Sequence, residues 1–275
     1  MPSDAVFRIQ IERFFVFLYN YFPFEKPFMN TRTGFFSNIP PVTKNLIIIN
    51  LIIWLAMMLF PESTRDMMMR YGALHFVESA DFNLFQPVTY MFMHSTSGLA
   101  HILFNMFALY MFGGMVERAV GSKRFLTFYM VCGVGAALVQ EVVWAFTLPD
   151  MISEGLAQLN HTTVENIDQW LAANPQIYQS NLGFFTTVGA SGAIYGVLLA
   201  FGMLFPNVPL YIMFIPVPVK AKWMVLGYGV LELLLGMSEA RDGVAHFAHL
   251  GGMLFAFGII LYWKHKFRNY GNRNF

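Results

Sequence analysis

The chain has 275 residues, of which 56% are hydrophobic and 12% charged, with a formal net charge of +1 and a mean hydropathy of +0.51. An ordinary soluble domain carries roughly 25% charged residues, so this composition, gathered into several long apolar runs, excludes that class and gives an all-α polytopic membrane protein. The near-neutral charge implies no nucleic-acid partner. The single cysteine, Cys132, permits no internal disulfide, and inside an apolar run it reads as a small buried residue.

Residues 1–41 mix charges with aromatics (Arg8, Glu12 and Arg13, then Phe14, Phe15 and Phe17) and form a tail, part of it an amphipathic helix on the membrane surface. They lack the pattern of a signal peptide. The first membrane span is expected at 42–60, long enough to cross if Lys44 snorkels. A long loop follows. Its latter part, from Phe82 to His94, is apolar and aromatic but broken by Pro87, and reads as a partly inserted segment. Spans are expected at 99–115 and 125–147, joined by a short basic turn. Residues 148–183 hold no Lys or Arg and form an outer loop, with a helix near 163–173. A fourth span is expected at 186–205, a proline-punctuated loop after it, then spans at 223–237 and 244–263. The domain is thus a six-helix bundle over 42–263, closed by a tail at 264–275.

Fourteen of the 17 Lys and Arg fall on one side of this arrangement: in the N-terminal tail and start of the first span, the turn after the second, the loop after the fourth, and the C-terminal tail. Only Arg65, Arg70 and Arg241 fall on the other. Basic residues stay inside, so both termini are expected in the cytoplasm. The expected location is a bacterial plasma membrane.

Three polar residues then sit at a shared depth. His101 precedes Arg118 by 17 residues, His249 precedes Lys264 by 15, and Ser191 precedes Pro206 by 15. At 1.5 Å per residue each lies roughly 23–25 Å from its cytoplasmic boundary, in the outer part of a hydrocarbon core of about 30 Å. Polar groups inside a bilayer are costly unless partnered or functional. A serine hydroxyl needs a base to become a nucleophile, and histidine titrates near neutrality. A developing oxyanion needs donors. His101 and Asn105, four apart on one helix face, can supply them together.

These residues stand in motifs: Gly189-Ala190-Ser191-Gly192 with Tyr195 and Gly196; His101 with Asn105; Gly113-Gly114-Met115-Val116-Glu117 with Gly121; and Ala248-His249 with Gly252. In this order and spacing the chain resembles the rhomboid intramembrane serine proteases over about 42–263. The resemblance implies a six-helix rhomboid-like bundle in which Ser191 is the nucleophile and His249 its base, acting as a Ser–His dyad. It implies an oxyanion hole of His101, Asn105 and the Ser191 N–H, with Tyr195 packed on His249 and with Gly189 and Gly192 supporting the serine. It implies no cofactor and no metal. The partners are the lipid bilayer and transmembrane protein substrates, whose helices are cut near their outer ends. The sequence is silent on the physiological substrate and on oligomeric state. The alternative within the family is a non-catalytic relative that binds and routes membrane proteins; it would ordinarily lack Ser191 or His249.

The chain departs from the family pattern at three points. His94 precedes His101 by seven residues, where some bacterial relatives keep a histidine at five. Ala256 replaces a glycine, and Thr89-Tyr90 stands where a Trp-Arg pair is usual. No acid is expected to complete a triad: Asp242, seven residues before His249, falls in a loop, and Glu141 and Glu232 read as structural hydrogen-bonding groups. A transporter would need a charged pathway near the midplane, for which only Glu232 is available. Met67, Met68 and Met69 read as filler, and His161 and His265 as solvent-facing.

His246 is a second candidate base. Ala248, Gly252 and Ala256 form a small-residue seam that lets the sixth span approach the fourth, where Gly192, Gly196 and Ala200 form its match. At about 100° per residue His249 borders this seam, whereas His246 points nearly away from it toward water.

Overall fold

The computed structural model describes residues 39–211, 217–238 and 244–270. The surface helix expected in the N-terminal tail and the position of Asp242 lie outside them. The first helix, α1 (Pro41–Leu59), opens with proline at its first position, where the missing N–H costs nothing. The Glu117 carboxylate serves its other free first-turn donors. It accepts from the Val42 N–H at 3.0 Å, the Thr43 N–H at 2.7 Å and the Thr43 hydroxyl at 2.8 Å, and from the Ser122 hydroxyl at 2.7 Å. That is the structural use of the Gly-Gly-Met-Val-Glu motif: a buried acid that ties the second membrane helix to the start of the first.

After α1 come α2 (Glu62–Gly72), the two-residue strand β1 (Leu74–His75), the short helix α3 (Gln86–Thr89) and a 3-10 turn over Tyr90–Phe92. The segment from Phe82 to Met93 is therefore irregular, as its proline predicts, and polar side chains pin it. Buried Gln86 donates to the carbonyls of Arg70 and Asp81 and accepts from the His75 N–H. Thr89 donates to Gly72 O at 2.8 Å, and the Tyr90 hydroxyl to Gly133 O at 2.7 Å. Thr89-Tyr90 thus fastens this segment to its surroundings.

The second membrane helix, α4 (Ala100–Val120), contains a π-helical stretch over Leu109–Gly113. Gly121, at φ 85°, turns the chain into α5 (Ser122–Leu159). This helix runs on past 147, the expected end of the third span. It continues through Pro149, because Leu148, Ile152, Ser153 and Ala157 are buried where it packs on α6 (Val164–Ala173). Packing outweighs the hydrogen bond that proline removes. At about 57 Å, α5 is nearly twice the hydrocarbon thickness. The 148–183 region is therefore mostly helical, with α6 and α7 (Pro175–Leu182) beside the end of α5.

The expected fourth span is shorter than its apolar run. Thr186–Thr187 forms β2, antiparallel to β1 (Leu74 opposite Thr187, His75 opposite Thr186), and the helix α8 covers only Ser191–Leu204. A second ladder pairs β3 (Pro209–Leu210) with β4 (Val219–Lys220) before α9 (Ala221–Gly236) and α10 (His246–Tyr270). These two-residue ladders are the described departures from an all-α fold.

Among the described residues, four helices are long and apolar enough to cross a membrane: α1, α4, α5 and α10; α8 is a shorter apolar helix. α8 packs against α4, α5, α9 and α10. Gly192, Ala193, Ile194, Gly196, Val197, Leu198, Ala200, Phe201 and Gly202 are all buried along it, so it forms the centre of the bundle. Outward, Ile48, Ile52 and Leu55 of α1, Leu226 and Leu234 of α9, and Leu254 and Phe257 of α10 are exposed. That apolar girdle is the surface of a multi-pass membrane protein.

Small residues set the central spacing. A Cβ at Gly196 would lie 2.8 Å from Cys132 and 3.0 Å from Gly252 O; one at Gly252 would lie 1.8 Å from Gly192 O. The seams read from the sequence therefore meet, and buried Cys132 fills the third side.

Candidate active site

Ser191 is the first residue of α8. The first N–H groups of a helix have no intrahelical carbonyl to serve, and the helix dipole is positive there. Gly189, two residues earlier, has φ 131°, a conformation L side chains avoid, and its N–H donates to Tyr90 O at 3.0 Å. A Cβ at Gly189 would lie 2.8 Å from His101 Nε2 and 3.6 Å from Ser191 Oγ. Glycine therefore keeps open the space between these two side chains.

His249, in the first turn of α10, places Nε2 2.8 Å from Ser191 Oγ. Its Nδ1 faces Glu232 Oε2 at 2.9 Å. A carboxylate only accepts, so the partners assign the proton to Nδ1 and leave Nε2 free to accept from the serine hydroxyl. Tyr195, one turn beyond Ser191, stacks on the imidazole with ring centroids 4.2 Å apart and planes inclined by 7°. The Tyr195 hydroxyl donates to Glu232 Oε1.

No acid is expected beside His249 from the sequence, but one lies there. Glu232 on α9 is 5% exposed and receives donors from Tyr195, His246 and His249. The expectation for His246 is corrected too. It does not point away to water: it is buried, and its Nδ1 lies 2.7 Å from the same Glu232 oxygen. The helical repeat of α10 carries no sign of α9, which packs against it and covers that face. Glu232, His246 and His249 offer ligand atoms within 4.8 Å of one another, a spacing a cation could use. The hydrogen bonds at 2.7 and 2.9 Å account for the cluster as it stands.

His101 and Asn105 occupy one face of α4. The Ser95 N–H approaches His101 Nδ1 at 3.5 Å, which assigns the ring proton to Nε2, the nitrogen facing Gly189 and Ser191. Asn105 Nδ2 donates to His101 O at 2.8 Å, using one of its two amide hydrogens. Trp54 Nε1 donates to Ser95 O at 3.2 Å and steadies the loop before His101. His94, despite its longer spacing, packs on His101 with ring centroids 5.1 Å apart. Burial, with His101 beside it, pushes the His94 imidazole down to about 3, so this ring is neutral.

Ser191, His249, His101, Asn105, Tyr195 and Gly192 all line one cavity of about 900 Å³, walled mainly by apolar side chains of α4, α8, α9 and α10. Glu141, by contrast, accepts from the Val77 N–H at 2.8 Å and serves the loop, as read from the sequence. Glu232, Tyr90 and Ser95 were not legible as parts of this site. Only Glu232 carried a signal, as the lone acid of its apolar run.

A rhomboid domain matches residues 81–265, which contain every residue of this cluster. The chain is similar to rhomboid protease AarA of Providencia stuartii, 25% identical over 226 residues that cover 78% of this chain and 69% of the relative. It is 31% identical over 102 residues to rhomboid protease GlpG of Haemophilus influenzae, covering 37% of this chain and 50% of that protein. It is 28% identical over 170 residues to the mitochondrial RHOMBOID-like protein 12 of Arabidopsis thaliana, covering 60% of this chain and 42% of that protein. The chain thus spans half or less of the length of the last two. With residues 81–265 of its 275 inside the matching domain, the chain belongs to the rhomboid family.

Proposed function

We propose that the protein is an intramembrane serine endopeptidase that cuts transmembrane protein substrates in or next to their membrane helices. The observation that carries this reading is the 2.8 Å contact between Ser191 Oγ and His249 Nε2 at the wall of a cavity that His101 and Asn105 also line. Ser191 Oγ attacks the scissile carbonyl carbon while its proton passes to Nε2. The carbonyl oxygen, now negative, is met by His101 Nε2–H, the free Asn105 amide hydrogen and the Ser191 N–H at the start of α8. The C–N bond then breaks as Nε2 returns the proton to the leaving amine. Water repeats the sequence on the acyl-enzyme, with Nε2 taking its proton and returning it to Ser191.

In this reading α8 and α9 complete six spans, both termini are cytoplasmic, the 148–183 region lies outside, and the site opens to water from that side. The similarity to proteins named rhomboid proteases supports the same activity. The test is labelling with a serine-directed fluorophosphonate, together with cleavage of a transmembrane substrate, in the wild type and in Ser191→Ala. The alanine variant is expected to fold and to lose both signals. Cleavage retained by folded Ser191→Ala would end the assignment of Ser191 as nucleophile; a folded wild type that neither labels nor cleaves would leave the non-catalytic, membrane-protein-binding reading in its place.

A further inference from the structure

We propose that Glu232 is a positioning residue that makes the reacting group a Ser191–His249–Glu232 triad, with His246 and Tyr195 as its supports. The inference rests on the protease reading above. Three helices supply the parts: Ser191 and Tyr195 come from α8, Glu232 from α9, and His246 and His249 from α10.

The geometry gives Glu232 a defined task. An imidazole held only through Nε2 can rotate or exchange tautomers, and the wrong tautomer presents a proton to the serine instead of a lone pair. The 2.9 Å contact from His249 Nδ1 to Oε2 fixes both the tautomer and the ring plane, and the Tyr195 stack holds the other axis. During attack the serine proton goes to Nε2 and later to the leaving amine. The Nδ1 proton stays on the ring, and Glu232 stays ionised opposite the imidazolium. No further reactant is needed.

A buried carboxylate is costly unless its oxygens are satisfied. Here Oε1 accepts from the Tyr195 hydroxyl, and Oε2 accepts from both His246 Nδ1 and His249 Nδ1. His246 therefore shares the oxygen that faces the base, and Tyr195 holds the other one. A merely structural acid would need partners, but it would not need His249 among them.

The experiment measures kcat and KM for a transmembrane substrate with the wild type, Glu232→Gln and Ser191→Ala in the same detergent. Glutamine is isosteric: its amide oxygen can face the two imidazoles and its amide nitrogen the Tyr195 oxygen, so packing is kept while the charge is lost. The expected result is a fall in kcat of about 10–10²-fold with KM within about twofold and an unchanged melting temperature. A kcat within about twofold of the wild type, or a change confined to KM, overturns the proposal. A second measurement needs no Glu232 variant. In wild-type protein labelled with nitrogen-15 histidine, the proposal requires a low-field Nδ1–H resonance that disappears in His249→Ala; its absence from the wild type overturns the proposal. Cleavage by Ser191→Ala would remove the nucleophile and sink the serine-protease reading itself. Loss in Ser191→Ala with full activity in Glu232→Gln would sink the triad alone.

Discussion

Gly252→Ala tests whether backbone contact between α8 and α10 sets the Ser191–His249 distance. The added Cβ would sit 1.8 Å from Gly192 O and 2.7 Å from its carbonyl carbon. These are backbone atoms of the central helix and cannot rotate aside. Reaching 3.0 Å, the closest approach that real Cβ atoms make, requires a separation of about 1.2 Å near one turn from the site. The Ser191 Oγ to His249 Nε2 contact is 2.8 Å, so a shift of that size carries it beyond hydrogen-bond reach. A misplacement of about 1 Å in a reacting pair can cost on the order of 10²-fold in rate. The expected outcome is therefore a fall of about 10²-fold in cleavage and in fluorophosphonate labelling. Gly258→Ala on the same helix is the control. Its Cβ meets nothing described within 4 Å, and alanine is the better helix former, so activity should stay within about twofold. A folded Gly252→Ala with wild-type labelling would refute the claim that this contact sets the site.

Asn105→Ala should lower kcat by about 10²–10³-fold with a smaller change in substrate binding, measured by steady-state cleavage and by pull-down of an uncleaved substrate. Glu117→Gln loses the charge that holds the start of α1 and should lower unfolding free energy by about 1–3 kcal/mol in thermal or denaturant melts, while folded molecules keep their activity. His249→Ala should eliminate cleavage. His246→Ala should reduce it about tenfold, because Glu232 keeps Tyr195 and His249 as donors. Single cysteines placed in 148–183 should react with an impermeant reagent in intact cells, and cysteines in 264–275 should not. Buried Cys132 should leave a clean background.

Much of the fold was legible because two local signals agree with the tertiary structure. Apolar runs marked the membrane helices, and Pro87 marked the irregular segment before α4. Small residues at four-residue spacing marked the α8–α10 contact, since only a missing side chain permits such an approach. The boundaries were less legible where tertiary contacts overrule local preference. Pro149 and Asp150 looked like a helix end, but the residues around them are buried against α6. Thr186–Val188 looked like the first turn of a span, but Thr186 and Thr187 pair with β1 instead.

The cluster around Ser191 divides in the same way. His101 and Asn105, or Ser191 and Tyr195, share a helix, and the helical repeat alone puts each pair on one face. Gly189 and Gly192 announce close approach by lacking a side chain. Glu232 has no such neighbour relation: its partners lie 37, 14 and 17 residues away on two other helices. Nothing in the α9 sequence tells which way that carboxyl turns. The informative quantity was its cost. A carboxylate in an apolar run must find several donors or remain neutral. Buried His246 and His249 and half-buried Tyr195 are such donors, and all three sit at one end of the α8–α10 seam. The lone acid of α9 therefore draws both His249 and His246 toward it, which turns His246 inward.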